Sequence, residues 1–382
     1  MHTSRRSEVT RVVFLQEYLP QYRVRLFELL REGAAQLGID LVIAAGQPNS
    51  VQARRGDTVD LEWVSPIRQR EYRILGRRLA VRRTRHLVKN ADIVVMEQAR
   101  RNVDLYWALI RPRGARVVLW GHGADRVKTP SRVEQRISRW LASRAHWFFA
   151  YTDGAAASVV SQGFDPDRIT VLYNAIDTST LQAAIAALDP AKQSDLKHHL
   201  DLRGKTALYI GALDTYKRTP MLIESAIAAH DREPDFRLLV AGDGVERSLV
   251  ETAAEAHSFI RYVGPTFGDD KAALLSVADV LVSPGSVGLS VLDSFVAATP
   301  MITTEWLFHG PEVEYLEHGV NSLITPDSLD AFVDGMLETL SDRAGLDRMK
   351  QNCRSDARRY SIEDMAQRLT EGVQRALEAP TR

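Results

Sequence analysis

The chain has 382 residues, 45% of them hydrophobic, with 49 basic and 49 acidic side chains; this suits two α/β domains with packed cores better than one domain. A single cysteine, Cys353, excludes an internal disulfide and a cysteine-based metal site, and no apolar run reaches the roughly 18 residues of a membrane span, so a soluble protein of a reducing, cytoplasmic compartment is expected. The zero net charge conceals an asymmetry: residues 1–180 hold 29 Lys/Arg against 18 Asp/Glu, and the remainder reverses that balance. The halves therefore read as domains with different partners, the first suited to an anionic surface or substrate.

Through the first half, apolar β-branched runs at residues 12–15, 41–44, 93–96, 117–120 and 147–150 alternate with amphipathic stretches. That rhythm predicts βαβ units and a parallel sheet covered on both faces. Residues 1–10 pass straight into the strand-like run 11–15, which is far too short for the apolar core of a signal peptide, so none is expected. Behind that strand, Pro20 and Gln21 close a glycine-free loop that offers Glu17, Tyr22 and Arg23, and a helix follows with Val24, Phe27 and Leu30 on one face. Tyr22 and Arg23 either cap and solvate this helix or face a ligand.

Residues 68–89 hold nine Lys/Arg, interspersed with Ile74, Leu75, Leu79, Leu87 and Val88, and are expected to form a helix. Such a helix suits either plain solvent or anionic lipid headgroups. Nucleic acid is a poorer partner, because neither a binding motif nor interleaved aromatic residues accompany the charge. The strand at 117–120 runs into Gly121, His122, Gly123 and on through Ala124 to Arg126, which places an imidazole on a mobile loop at the carboxyl end of a parallel strand, where open α/β sheets bind ligands. Glu97 and Gln98 end the preceding strand on the same rim.

The second half opens with a strand at 207–210, then Gly211 and a loop that ends in Lys217 and Arg218. Further strands at 238–241 and 260–263 lead into Gly242-Asp243-Gly244 and Gly264. Residues 278–304 read as strand, loop, helix (289–298) and strand. The N–H groups of Ser286, Val287, Gly288 and Leu289 then stand at a helix N-terminus, where with the helix dipole they suit an anion such as a diphosphate. Asp293 lies on the first turns of that helix. Pro311, Glu312 and Glu314 are good chemistry for starting another helix, and a long last helix is expected at 361–377.

In chain order these motifs resemble those of the retaining GT-B glycosyltransferases of the large bacterial family 4 (group 1), in particular a subgroup that builds surface polysaccharides. The resemblance is carried by Tyr22-Arg23 followed by Phe27-Glu28 and Leu30, by Asn174 to Asp177, by Gly211 with Lys217, by Gly242 and Gly244, by Thr299-Pro300-Met301-Ile302, and by His309, Pro311, Glu312, Glu314 and Tyr315. It implies two Rossmann-like domains, 1–177 on the acceptor side and 178–360 on the nucleotide-sugar side, with residues 361–382 crossing back to the first. Aligned on Thr299-Pro300, the family's two motif carboxylates fall on Gly285 and Asp293. The second, which holds the ribose, is present as its shorter homologue, and the first, which touches the transferred sugar, is absent. Either the donor lacks a hydroxyl there or another acid, Glu312 or Glu314, reaches in.

The resemblance further implies that His122, Lys217 and Arg218 are catalytic, the imidazole facing the sugar and the cations neutralising the departing diphosphate. Gly211, Gly242, Ser286, Val287, Gly288, Leu289, Asp293, Glu312 and Glu314 would hold the donor, and Glu17, Tyr22, Arg23 and Glu97 would flank the acceptor. The arginine that the family places after Gly211 is here Ala212. The implied partners are a nucleoside-diphosphate sugar as substrate and a hydroxyl acceptor such as a lipid-linked glycan, with an anionic membrane surface and without nucleic acid. Neither a metal nor another cofactor is expected, and the location is cytoplasmic, peripheral on the inner face of the cell membrane. The hexosyl or deoxyhexosyl donor, the base and the linkage are left open. Two other activities fit the same fold: a sugar-nucleotide 2-epimerase, and a binding subunit without activity.

Overall fold

The computed structural model describes residues 9–53, 57–74, 76–110, 115–123 and 131–381. Residues 1–8, Leu75 and the run from Ala124 to Arg126, all drawn on above, lie outside the described residues. The chain divides into two compact units, Met1–Ile176 with Ile362–Arg382, and Asp177–Ser361.

The first unit contributes strands β1 (Arg11–Gln16), β2 (Asp40–Ala45), β3 (Val64–Pro66), β4 (Gln69–Ile74), β5 (Arg77–Arg82), β6 (Ile93–Glu97), β7 (Arg116–Gly121), β8 (Trp147–Ala150) and β9 (Ile169–Val171). All but β4 and β5 join one parallel sheet in the order β3-β2-β1-β6-β7-β8-β9. The second unit holds β10 (Thr206–Ala212), β11 (Arg237–Asp243), β12 (Ile260–Gly264), β13 (Val280–Ser283), β14 (Met301–Thr304) and β15 (Ser322–Thr325). Their order is β12-β11-β10-β13-β14-β15, again parallel. Both sheets are Rossmann-like, and in both the order reverses beside the first strand, between β1 and β6 and between β10 and β13. At such switch points the crossing helices leave a crevice beyond the carboxyl ends of the strands.

The strands are near-continuous apolar runs because both faces are covered. Val12, Val13, Phe14 and Leu15 are all fully buried, and Phe14, Phe27 of the helix Val24–Gln36 and Trp120 of β7 meet edge to face at 5.9–6.2 Å. The last helix, Ile362–Glu378, buries Met365, Leu369, Val373 and Ala376 on one face and belongs to the first unit, packed on Val24–Gln36. Glycines allow that approach: a Cβ at Gly33 would stand 2.9 Å from Thr370, and one at Gly372 2.6 Å from Phe149.

The basic stretch departs from expectation. From Gln69 to Arg82 it is an antiparallel hairpin, turning at Gly76 with φ +73°, and only Arg85–Lys89 is helical. The physical reason is the period of its apolar residues: Tyr72 with Ile74, and Leu79 with Val81, are two apart, which fits a pleated strand and leaves a helix without a buried stripe. There are smaller differences. The helix expected at 289–298 is the shorter Ser290–Val296, Pro311–Tyr315 is a single 3-10 turn, and the short strands β3, β9 and β15 were not anticipated.

Candidate active site

At the switch point of the second unit, Asp214 accepts a hydrogen bond from the Lys217 N–H at 3.0 Å and so closes the turn after β10. Lys217 is thereby aimed across to the segment after β13, where its Nζ donates to the Ser286 carbonyl. Burial pushes the Lys217 pKa down, opposed by the charges of Asp214 and Glu312. The neighbouring Arg218 adopts a left-handed conformation, φ +56°. Its guanidinium donates to the Pro284 carbonyl at 3.2 Å, pairs with Asp327 and lies 4.6 Å over the Trp306 ring. The two cations therefore differ: both tie one loop to the other, but the charge of Arg218 is already matched by Asp327.

Four N–H groups were expected to be free after β13, and the structure halves that number. The Ser286 N–H donates to the Tyr216 carbonyl at 2.8 Å, and the Val287 N–H donates to His309 Nδ1 at 3.0 Å. Since Nδ1 accepts, the proton of the neutral imidazole sits on Nε2, which faces the Thr304 carbonyl at 2.8 Å. His309 thus braces the loop. The N–H groups of Gly288 and Leu289 donate to no group among the described residues and stay available to an anion.

Glu312 is 4% exposed, and its Oε2 stands 3.8 Å from where a Cβ on Gly288 would lie and 3.0 Å from one on Gly310. Its carboxylate is therefore beside the Gly288 backbone and acts on Lys217. Glu314 is exposed, because two residues along a 3-10 turn carry a side chain to a different face. The two acids that sequence reasoning treated as equivalent are not.

Gly285, where the family's first carboxylate would fall, has a plain steric reason to be glycine. A Cβ there would stand 2.5 Å from the Tyr216 oxygen and 2.5 Å from the Lys217 carbonyl carbon. Gly242 is similar: it pairs with Gly211 across β10 and β11, and a Cβ on it would overlap the Gly211 oxygen at 1.9 Å, whereas a Cβ on Gly211 would meet nothing nearer than the Tyr209 hydroxyl at 3.1 Å. Asp293, 9% exposed, is held by Lys271 of the helix Gly268–Val277 at 2.7 Å. Burial pushes its pKa up against the pull of that ammonium. Lys271 was missed, since nothing in its local sequence says which strand-to-helix junction its helix faces.

At the switch point of the first unit, Glu17 is 2% exposed, receives hydrogen bonds from Arg101 Nε at 2.6 Å and Arg78 Nη2 at 3.3 Å, and lies 3.5 Å from Gln52. Burial works to raise its pKa, but the Arg101 bond and the charges of Arg101, Arg78 and Arg82 outweigh it and leave the carboxyl below its ordinary value. Glu97, at the end of β6, is pushed up to about 7 by burial and by the Glu17 charge, with Arg82 and Arg101 resisting. The pair is one low and one near-neutral carboxyl beside three arginines, two of them from the hairpin.

Arg23 is buried, its guanidinium 4.8 Å over the Trp120 ring and between Tyr22 and Tyr151, whose hydroxyl accepts from Nη2 at 3.0 Å. Tyr22 itself is partly exposed. Arg23 therefore does more than solvate its helix. The exposed His122 adjoins this group, 4.5 Å from the Tyr151 ring. The loop that carries it is less free than its glycines suggested. Gly123 is buried, donates to Gln98 Oε1 at 3.1 Å and accepts from Gln162, and a Cβ on it would meet the Ala155 oxygen at 2.4 Å. Close packing, rather than mobility, explains both glycines.

Among the described residues, no three His, Cys, Asp or Glu side chains gather as metal ligands, and no helix is long and apolar enough to cross a membrane.

Residues 24–180 match the family model described as Glycosyltransferase Family 4, and residues 204–342 match that described as Glycosyl transferases group 1. Among similar proteins, the 2-deoxystreptamine glucosyltransferase of Streptomyces kanamyceticus is 28% identical over 46% of this chain and 46% of its own length. The chain thus spans about half the length of that relative. The putative glycosyltransferase EpsD of Bacillus subtilis is 29% identical over 67% of this chain and 70% of its own. Of solved structures, a glycosyltransferase from Rickettsia africae superposes with a TM-score of 0.70 at 15% identity, covering 97% of this chain and 99% of that one. Anabaena HepE, solved in complex with UDP, gives 0.68 at 15%, covering 96% and 100%; at such identity the likeness concerns the fold. With one family model on each Rossmann-like unit, and the pair in the order of the two sheets, the chain belongs to the group 1, family 4 glycosyltransferases of GT-B fold.

Proposed function

We propose that the protein transfers a hexosyl or deoxyhexosyl group from a nucleoside-diphosphate sugar to a hydroxyl acceptor with retention of configuration and without a metal ion, in glycan, glycolipid or surface polysaccharide synthesis. The observation that carries this is the second unit's switch point, where the Lys217 ammonium, two available N–H groups and a buried glutamate share one crevice. The diphosphate takes the N–H groups of Gly288 and Leu289 and the ammonium of Lys217, and Asp293 takes the ribose. As the bond from the anomeric carbon to the diphosphate breaks, charge grows on the leaving oxygen and these preorganised groups stabilise it. The acceptor oxygen bonds to the same face of that carbon and passes its proton to the departing phosphate. In the first unit, His122 faces the sugar, and Glu17, Glu97, Tyr22 and Arg23 orient the acceptor.

Incubation with a panel of sugar nucleotides, with and without hydroxyl acceptors and with chelator present, tests this. Nucleoside diphosphate should appear only when an acceptor is supplied, and chelator should not slow it. Release without any acceptor would favour a 2-epimerase or hydrolase, and no release at all a binding subunit.

The finer location is also a proposal: the protein works at the anionic inner face of the membrane, docked through the hairpin. Inward-facing Arg78 and Arg82 are paired with Glu17 and Asp104, whereas Arg68, Arg70, Arg73, Arg83, Arg85 and Lys89 are exposed and make no ion pair among the described residues. On the outward face Tyr72, Ile74 and Val81 are exposed, and the helix Val103–Ile110, packed on β5, adds exposed Trp107 and Ile110. Cations around an aromatic and aliphatic patch complement an anionic bilayer. The protein should sediment with phosphatidylglycerol vesicles but not with phosphatidylcholine vesicles, less so as salt rises, and Arg70→Glu with Arg73→Glu should release it. Equal binding to both vesicles, or to neither, overturns the location.

A further inference from the structure

We propose that Lys271 is a positioning residue of the donor site, holding Asp293 ionised and oriented so that its carboxylate accepts hydrogen bonds from the nucleotide's ribose. This rests on the assignment of Asp293 to the ribose made above. Lys271 Nζ lies 2.7 Å from Asp293 Oδ2, with only 22% and 12% of the two side chains exposed. A carboxylate so enclosed needs a cation: burial favours its neutral form, and a protonated carboxyl gives up one acceptor position to a donor that two ribose hydroxyls do not both need.

The surrounding charges leave this task to Lys271. Three elements pack against the helix of Asp293: Ser179–Ala186, Pro311–Tyr315 and Arg343–Arg359. The first has no charged side chain. The second brings Glu312 and Glu314, which are themselves acidic. On the third, Arg343, Arg348 and Arg359 turn to Asp279, Asp342 and Glu317, Asp356 accepts from Asn321, and the other charged side chains, Asp347, Lys350, Arg354 and Arg358, do not contribute to the shift of Asp293, which burial and Lys271 set. Asp269 and Asp270, beside Lys271, are exposed to solvent.

Lys271→Met should therefore show in the pH dependence of nucleotide binding. The carboxylate pKa, already raised by burial, rises further once the ammonium is gone, so binding is retained above the new pKa and lost as pH falls through it, by about tenfold per unit. Wild-type protein should hold its affinity to lower pH, Lys271→Arg should restore that profile, and Lys271→Met with Asp293→Asn should bind weakly with no such dependence while leaving a neutral, foldable pair. The measurement is calorimetry against UDP, GDP, ADP, CDP and TDP, continued from pH 5.5 to 8.5 (roughly the range spanned by ordinary buffers around the histidine pKa) with whichever binds. If Lys271→Met follows the wild-type profile while Asp293→Ala binds weakly, Lys271 has no such role although the donor site stands. If Asp293→Ala binds as wild type does, or the wild-type protein binds none of the five, the donor-site assignment falls and Lys271 with it.

Discussion

Lys217→Ala is expected to weaken nucleoside diphosphate binding by roughly tenfold to hundredfold, the effect of losing one charge-assisted hydrogen bond of about 1.5–3 kcal/mol, and to slow turnover further. The larger loss in turnover follows from where the charge appears: the diphosphate gains negative charge as the sugar departs, so a cation beside it matters more in the transition state than in the bound donor. Calorimetry with the nucleotide, set beside kcat and KM, separates the two terms. An unchanged Kd in this variant would remove Lys217 from the site. Arg218→Ala should behave differently. Its guanidinium is matched by Asp327 and seated on Trp306, so its removal should lower the melting temperature and disturb the loop, with a smaller change in Kd than Lys217→Ala.

This contrast between adjacent residues shows what a sequence can and cannot disclose. The central strands were legible because they are runs of apolar residues buried on both faces, a property of the residues themselves, whereas the short or half-exposed β3, β9 and β15 lack that run. The carboxyl ends of the central strands put Glu97 and His122 on one rim, whereas Lys217 and Asp293 entered through the family resemblance. The hairpin reads as a helix when the nine cations of residues 68–89 are weighed above the two-residue spacing of Tyr72, Ile74, Leu79 and Val81, which is the feature that decides strand over helix. What stayed hidden depends on partners far along the chain. Asp327 matches Arg218 from 109 residues away, His309 takes the Val287 N–H from 22 residues away, and Lys271 reaches Asp293 from a separate helix. Gly285 is the clearest case: the resemblance reads its missing side chain through the sugar, and the opposing backbone at Tyr216 and Lys217 supplies a steric reason that the sequence does not display.

That steric reason changes what substitutions at Gly285 and Glu312 should do. If glycine there served only to leave a sugar hydroxyl unread, Gly285→Ala would be harmless. With backbone atoms 2.5 Å from the new Cβ, alanine should instead displace the Lys217 turn, destabilising the protein by about 1–3 kcal/mol and impairing nucleotide binding, and Gly285→Glu should do so at least as strongly. Thermal melts and calorimetry on Gly285→Ala decide the matter: wild-type values would return Gly285 to the question of donor identity. The acid that remains beside the crevice is Glu312, and Glu312→Gln keeps its shape while removing its charge. Two consequences follow, one for the sugar and one for Lys217. Transfer should fall by roughly hundredfold or more, the order of effect seen when a single positioned charged group is removed from a site that excludes water. The alkaline limb of kcat/KM should also move to lower pH. Lys217 binds the diphosphate as an ammonium, a form present below its pKa and lost as pH rises through it. Burial has already lowered that pKa, and the Glu312 charge is one of two that hold it up, so neutralising Glu312 lets the ammonium deprotonate sooner. A pH profile superimposable on that of the wild type, at undiminished rate, would leave Lys217 answering to Asp214 alone and the sugar held by backbone groups.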